Sequence, residues 1–362
     1  MQLRINITNN NIFENIEDLL FADDRSVAWR FMKNLPWEVY ENLSPQYELQ
    51  VISSIQIKKL LWSNAFKNIK GFYFGTEQCE FLMPTLEETK KAIQFTKDFD
   101  KKYTSKDIKR FVFLTPYFGN MQMRDRLQEN LQYLNDNAHF INPKTINGEL
   151  NKDGKSVVEV VINDYGVLHM VKHFPNLVPV LGRILVKTLK NPIVDTLWLE
   201  KNVHIPWELM KNKLPEEINE IKHKIAENQK RWMWRSALNN DYFLKFLNRK
   251  LIDRAWIDYL QEFSTLYDTT VNIDIYYPYA LIFIGRLCDV SAVQNIKRGY
   301  YPIDEICPRT CWKYEINIQN FDTVWYKVIQ KWNAGYKSQA ELNLPAQTIE
   351  KYGNRLIYTP LM

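Results

Sequence analysis

A chain of 362 residues, 46% of them hydrophobic, is long enough for one barrel-sized domain or two ordinary ones and has a globular composition. Its 47 Lys and Arg against 42 Asp and Glu leave a formal charge of +5 that is scattered along the chain, which argues against a general nucleic-acid binder and permits an anionic partner. Four cysteines are too few for a secreted disulfide scaffold, no run approaches the roughly 18 apolar residues of a membrane span, and Met1 to Asn10 lack a signal-peptide layout, so a soluble, cytoplasmic protein is expected.

In chain order, Gln2 to about Ser44 reads as a polar, irregular N-terminal extension (1–44), with Leu19, Leu20, Val27, Trp29 and Phe31 its candidates for burial. The remainder, 45–362, reads as one barrel-like domain. Leu49 to Ile55 and Phe72 to Phe74 are predicted strands, the second closed by Gly75 and followed by Cys79. Thr85 and Glu88, behind Pro84, have the spacing of a capping box, and Ala92, Phe95 and Phe99 then recur at helical spacing. Cys79 is therefore expected on a strand-to-helix loop.

The order repeats. Phe111 to Thr115 is a predicted strand before a helix carrying Met123, Leu127 and Leu131. Val157 to Ile162 is a continuous apolar run, as in a strand covered on both faces, and Asn163-Asp164 ends it. Leu177 to Leu181 is a weaker strand, because Pro179 lacks a ladder donor. Residues 186–240 read as a helical insertion, with Glu216 to Arg235 a long amphipathic helix. Strands return at Arg254 to Asp258 and Val271 to Ile275, and a buried segment, Ala280 to Ile284, leads into Gly285, Arg286 and Cys288.

Strands alternating with helices predict a parallel α/β fold, an irregular (β/α) barrel-like single domain with a helical insertion or an open sheet. In either arrangement the loops at the carboxyl ends of the strands form the functional face, and Cys79, Asn163 and Cys288 are expected there.

Cys79, Cys288, Cys307 and Cys311 comprise one remote and three clustered thiols. No C-x2-C knuckle of the zinc-ribbon kind occurs. Four thiolates are the normal complement of a 4Fe-4S cube, and Cys307-Pro308 has the Cys-Pro pair that closes many cluster motifs. The spacing leaves three readings open: such a cluster, a structural four-cysteine zinc site, or buried thiols that bind nothing.

The stretches Tyr277 to Ala280, Gly285 to Cys288 and Cys307-Pro308-Arg309-Thr310-Cys311 resemble the cluster region of the collagenase-like peptidase family, especially its UbiV branch. Phe74 to Glu80 is similar to that family's early cysteine segment, and Val161 to Leu168 to its strand ending in Asn-Asp. The resemblance spans about Phe72 to Cys311. It implies a barrel-like fold, a 4Fe-4S cluster on the four cysteines, and a part in oxygen-independent hydroxylation, in the UbiV branch as one half of a heterodimer with a UbiU-like protein in ubiquinone synthesis. Relatives hydroxylate RNA bases, and prephenate is the oxygen donor that the family implies. The chain departs from UbiV in a longer gap between Cys288 and Cys307, a larger N-terminal extension and the insertion at 186–240.

The peptidase name finds no support in the residues. There is neither a G-x-S-x-G elbow nor an H-E-x-x-H helix, and Met170, Val171 and Lys172 between His169 and His173 supply no general base, so that pair reads as packed or surface histidines. Arg183, Arg286 and Arg309 fall near the expected functional face, where a guanidinium fork suits a dicarboxylate such as prephenate or a structural ion pair. Asn163 and Asp164, the catalytic candidates, either orient a substrate or water or cap the following helix. Lys230 to Arg235 interleaves basic and aromatic residues in a texture that suits nucleic acid. Trp232 and Trp234 do not share a helical face, however, and an amphipathic helix with snorkelling basic stems is the favoured reading.

Overall fold

The computed structural model describes residues 2–7, 69–103, 110–117, 123–143, 156–186, 204–233, 236–258, 271–277, 279–284, 307, 316–318, 328–331, 334–338 and 355–358. The strands, in chain order, are β1 (Gln2–Ile7), β2 (Ile69–Gly75), β3 (Arg110–Leu114), β4 (Val158–Ile162), β5 (Leu177–Leu181), β6 (Arg254–Asp258), β7 (Asn272–Tyr277), β8 (Tyr279–Ile284), β9 (Ile316–Ile318), β10 (Val328–Lys331), β11 (Ala334–Ser338) and β12 (Arg355–Tyr358).

Eight of them close a ring of parallel strands in the order β1, β12, β7, β6, β5, β4, β3, β2. The expected barrel-like α/β fold is thus present. Side chains alternate along each strand, so the barrel has two apolar shells. Tyr73, Val112, Leu114, Val161, Trp256 and Tyr276 pack with one another inside it. Their strand neighbours, among them Phe72, Phe74, Phe111, Val160 and Ile257, pack instead with helical residues.

Helix α1 (Leu86–Tyr103) starts where its capping box predicts: the Thr85 amide donates to Glu88 Oε2 at 2.7 Å, and the Glu88 amide donates to Thr85 Oγ1 at 3.2 Å. Phe95 and Phe99 then meet Phe72 of β2 edge to face, with centroids 5.4 and 5.0 Å away. Helix α2 (Met123–Asp136) buries Leu127, Leu131 and Leu134. It is keyed to α1 by Asn130, whose Oδ1 accepts from Thr89 Oγ1 at 2.6 Å. The other α-helices among the described residues are α3 (Ala138–Ile141), α4 (Tyr165–Val171), α5 (Arg183–Val186), α6 (Trp207–Met210), α7 (Pro215–Met233) and α8 (Asp241–Arg249). No described helix is long and apolar enough to cross a membrane.

The structure corrects two expectations. Gln2–Ile7 is not irregular but a barrel strand paired to both β2 and β12; Leu3, Ile5 and Ile7 alternate with polar residues, the period of a strand. Ala280 to Ile284 lies within β8, which does not extend the barrel. It belongs to a second, antiparallel sheet, ordered β8, β11, β10, β9, that the sequence pattern gave no reason to separate. Pro179 does sit in a strand: β5 meets β6 at a single registered pair, Leu181 with Ala255, so most of that side behaves as an edge where a missing donor costs least. The residues 8–44 of the expected extension and the strand expected at Leu49 to Ile55 lie outside the described residues, as does 187–203 of the insertion.

The amino-terminal end of the barrel interior is closed by charge. Arg355 forks onto Glu159 at 2.7 and 3.0 Å, and Arg254 donates to Asp274 at 2.7 Å. Burial opposes the Arg355 charge, but Glu159 and Asp274 outweigh it and push its pKa well above the usual guanidinium range.

Candidate functional site

The carboxyl ends of the barrel strands carry a second buried charge cluster. β2 leaves the barrel through Gly75, whose φ of +132° is open to glycine and whose Cβ position would lie 2.2 Å from the Leu114 carbonyl oxygen. This turn delivers Thr76, Glu77 and Gln78, all buried, into the mouth. β5 ends at Leu181, Gly182 follows, and Arg183 opens α5 with its side chain 2% exposed. Asp258 is the last residue of β6 and its side chain is fully buried.

Arg183 joins these strand ends. Its Nη2 lies 2.6 Å from Glu77 Oε2, and its Nη1 donates to Asp258 Oδ1 at 2.5 Å and to the Tyr279 carbonyl at 2.9 Å. The guanidinium also lies over the Tyr276 ring, 3.9 Å from its centroid. Asp258 Oδ1 further accepts from the Leu281 amide at 3.3 Å. A guanidinium presents planar donors in fixed directions, which suits this divergent set of acceptors better than an ammonium would.

Around this cluster several buried polar atoms have no hydrogen-bond partner among the described residues: Glu77 Oε1, Thr76 Oγ1, Asn163 Oδ1 and Trp256 Nε1. A buried acceptor left unmatched costs about 1 to 3 kcal/mol, so Glu77 Oε1 and Asn163 Oδ1 are places where a hydroxyl, an ammonium or a water is favoured. Asn163 is fully buried; its Nδ2 donates to the Thr115 carbonyl at 2.9 Å, and its carboxamide fills the space a Cβ on Gly182 would need, 2.0 Å from Oδ1.

The two catalytic candidates therefore part company. Asn163 is held in the mouth, whereas Asp164 is the N-cap of α4, its Oδ1 accepting from the Gly166 amide at 2.6 Å and the Val167 amide at 3.4 Å. Asp164→Ala is expected to cost about 1 kcal/mol of stability in a urea titration, the usual loss of a capping side chain, without changing any ligand binding. A loss of binding at unchanged stability would return Asp164 to the site.

Comparison with known protein families, curated proteins and solved structures finds no match to this chain. Function must be read from the residues themselves.

Cys79 lies two residues beyond Glu77, half-buried at the N-cap of the short 3-10 turn Glu80–Leu82, where its carbonyl accepts from the Leu82 amide at 3.1 Å. It stands on the expected strand-to-helix loop. Cys307 is also half-buried, and neither thiol is in a disulfide. Cys288, Cys311, Arg286 and Arg309 lie outside the described residues, as do the side chains of Lys230 to Arg235. His169 and His173 are exposed and meet edge to face, with centroids 5.2 Å apart.

Sequence reasoning missed Glu77, Asp258 and Tyr276 as members of the site. A signal was present: both carboxylates stand at or just beyond the end of a predicted strand, where barrel chemistry is placed. The pairing was not legible, since Glu77 and Arg183 are 106 positions apart, and Arg183 and Asp258 are 75 apart.

Proposed function

We propose that this is an iron-sulfur protein of oxygen-independent hydroxylation, with a 4Fe-4S cluster held by Cys79, Cys288, Cys307 and Cys311 at the carboxyl mouth of the barrel. The observation that carries this reading is the bridge made by Arg183. It ties the loop leading to Cys79, through Glu77, to Tyr279, the first residue of the strand that runs toward Cys288. Two described thiols, half-buried and outside any disulfide, suit a soft-metal donor set.

When bound, the cluster supplies one-electron transfer. The chain's own residues would do the positioning: Arg183 fixes Glu77 and Asp258, Asn163 Oδ1 and Glu77 Oε1 accept from a substrate hydroxyl, and Arg286 and Arg309 remain for the carboxylates of an anionic oxygen donor such as prephenate. A UbiU-like protein is the proposed partner, and a quinone precursor or related aromatic the proposed substrate.

Protein purified without oxygen is expected to absorb broadly near about 400 nm and to carry iron and sulfide in the ratio of a cube; Cys311→Ser should lose both. A single zinc per chain, with neither iron nor sulfide after the same preparation, would replace this reading with that of a structural four-cysteine zinc scaffold.

A further inference from the structure

The opposite, amino-terminal end of the barrel opens into a cavity of about 1130 Å³. The starts of β3, β4, β5, β6 and β12 form its floor, and the carboxyl ends of α4 and α8 form part of its rim. Six cationic side chains line it, Arg110, Lys172, Arg249, Lys250, Arg254 and Arg355, against two carboxylates, Glu159 and Asp253.

The floor and the rim differ in how this charge is met. On the floor, Arg254 and Arg355 are engaged by Glu159 and Asp274. On the rim, Lys172, Arg249 and Lys250 have no ion-pair partner among the described residues. Lys172 and Lys250 come from different helices yet line the same cavity, and there, after desolvation, the charge of Lys250 lowers the Lys172 pKa. Cations are ordinary at helix carboxyl ends, and Lys172 and Lys250 are the C-caps of α4 and α8. Capping alone does not bring two ammonium groups together, because each could serve its own helix while facing solvent. The like charges converge at the edge of a cavity large enough for a small molecule, over a floor whose arginines are already fixed.

We propose that this cavity binds a small phosphate-bearing molecule, with Lys172, Lys250 and Arg249 contacting its phosphate group. The size of the cavity suits a compact polyvalent oxyanion. The proposal is independent of the iron-sulfur reading, and of Cys79 beyond the carboxyl end of β2.

Titration calorimetry of the full chain with pyrophosphate at low salt tests it. Binding at one site per chain is expected, weakened about tenfold or more by Lys172→Gln with Lys250→Gln, as for the loss of one or two charge-assisted hydrogen bonds. Lys172 is exposed and Lys250 half-buried, so the double variant should retain the wild-type circular dichroism spectrum. Cys311→Ser should bind pyrophosphate as the wild type does, which separates this result from failure of the iron-sulfur reading. Absence of pyrophosphate binding, or binding indifferent to the double substitution, would overturn the proposal. So would binding of a single-stranded RNA oligomer with no binding of pyrophosphate, which would mark the rim as a polymer track.

Discussion

Arg183→Met is expected to lower the unfolding free energy by about 3 to 5 kcal/mol in a urea titration, the cost of leaving buried charges without their partner. Met nearly matches the length of the arginine stem, so the loss is mainly electrostatic. The variant leaves Glu77 and Asp258, with side chains 1% and 0% exposed, facing a thioether. It also strips one donor from the Tyr279 carbonyl and the cation from the Tyr276 ring. Adding Glu77→Gln and Asp258→Asn to the same chain should recover part of the deficit, because neutral amides are cheaper to bury than unpaired carboxylates. If the single substitution costs less than about 1 kcal/mol, the buried bridge does not exist as described.

Gly75→Ala is expected to be nearly as damaging, roughly 3 to 5 kcal/mol, for a reason unrelated to charge. The backbone there has φ of +132°, which strains any residue with a Cβ, and the new methyl would meet the Leu114 carbonyl oxygen at 2.2 Å. That oxygen belongs to a strand hydrogen-bonded on both sides, so it has little room to yield. Gly166→Ala is the matching control. Its Cβ would meet only Asp164 Oδ1, at 2.9 Å, and a side-chain oxygen can move, so its effect should stay within about 1 kcal/mol. Equal effects at the two positions would show that the turn after β2 is not held as tightly as the geometry requires.

Much of the barrel was legible because its strands are written as short apolar runs ended by recognisable punctuation. Phe111 to Thr115 and Val157 to Ile162 needed no tertiary knowledge, and the Thr85-Glu88 box placed the start of α1 to the residue. β1 was missed for the opposite reason. Its only local signal is the short alternation of Leu3, Ile5 and Ile7, and the strand gains its stability from neighbours that start at Ile69 and Arg355, which nothing local reports. The second sheet escaped on similar grounds, since Tyr279–Ile284 has the same apolar texture as a barrel strand and only its antiparallel pairing with Ala334–Ser338 sets it apart. At the site, the loop position of Cys79 and the strand-end position of Asn163 could be read from order alone. That Arg183 would meet Glu77 and Asp258 could not, because the meeting depends on ring closure bringing the ends of β2, β5 and β6 to one mouth.

The ring is joined where β1 lies beside β12, Gln2 opposite Arg355 and Ile5 opposite Tyr358. Synthesis must therefore pass Tyr358 before the last seam can be sewn, and until then the growing chain shows bare edges on β1 and β7 to whatever is nearby. Production of this protein should accordingly lean on chaperones that shield those edges, and deleting the short β12 segment should leave a product that gathers into insoluble material.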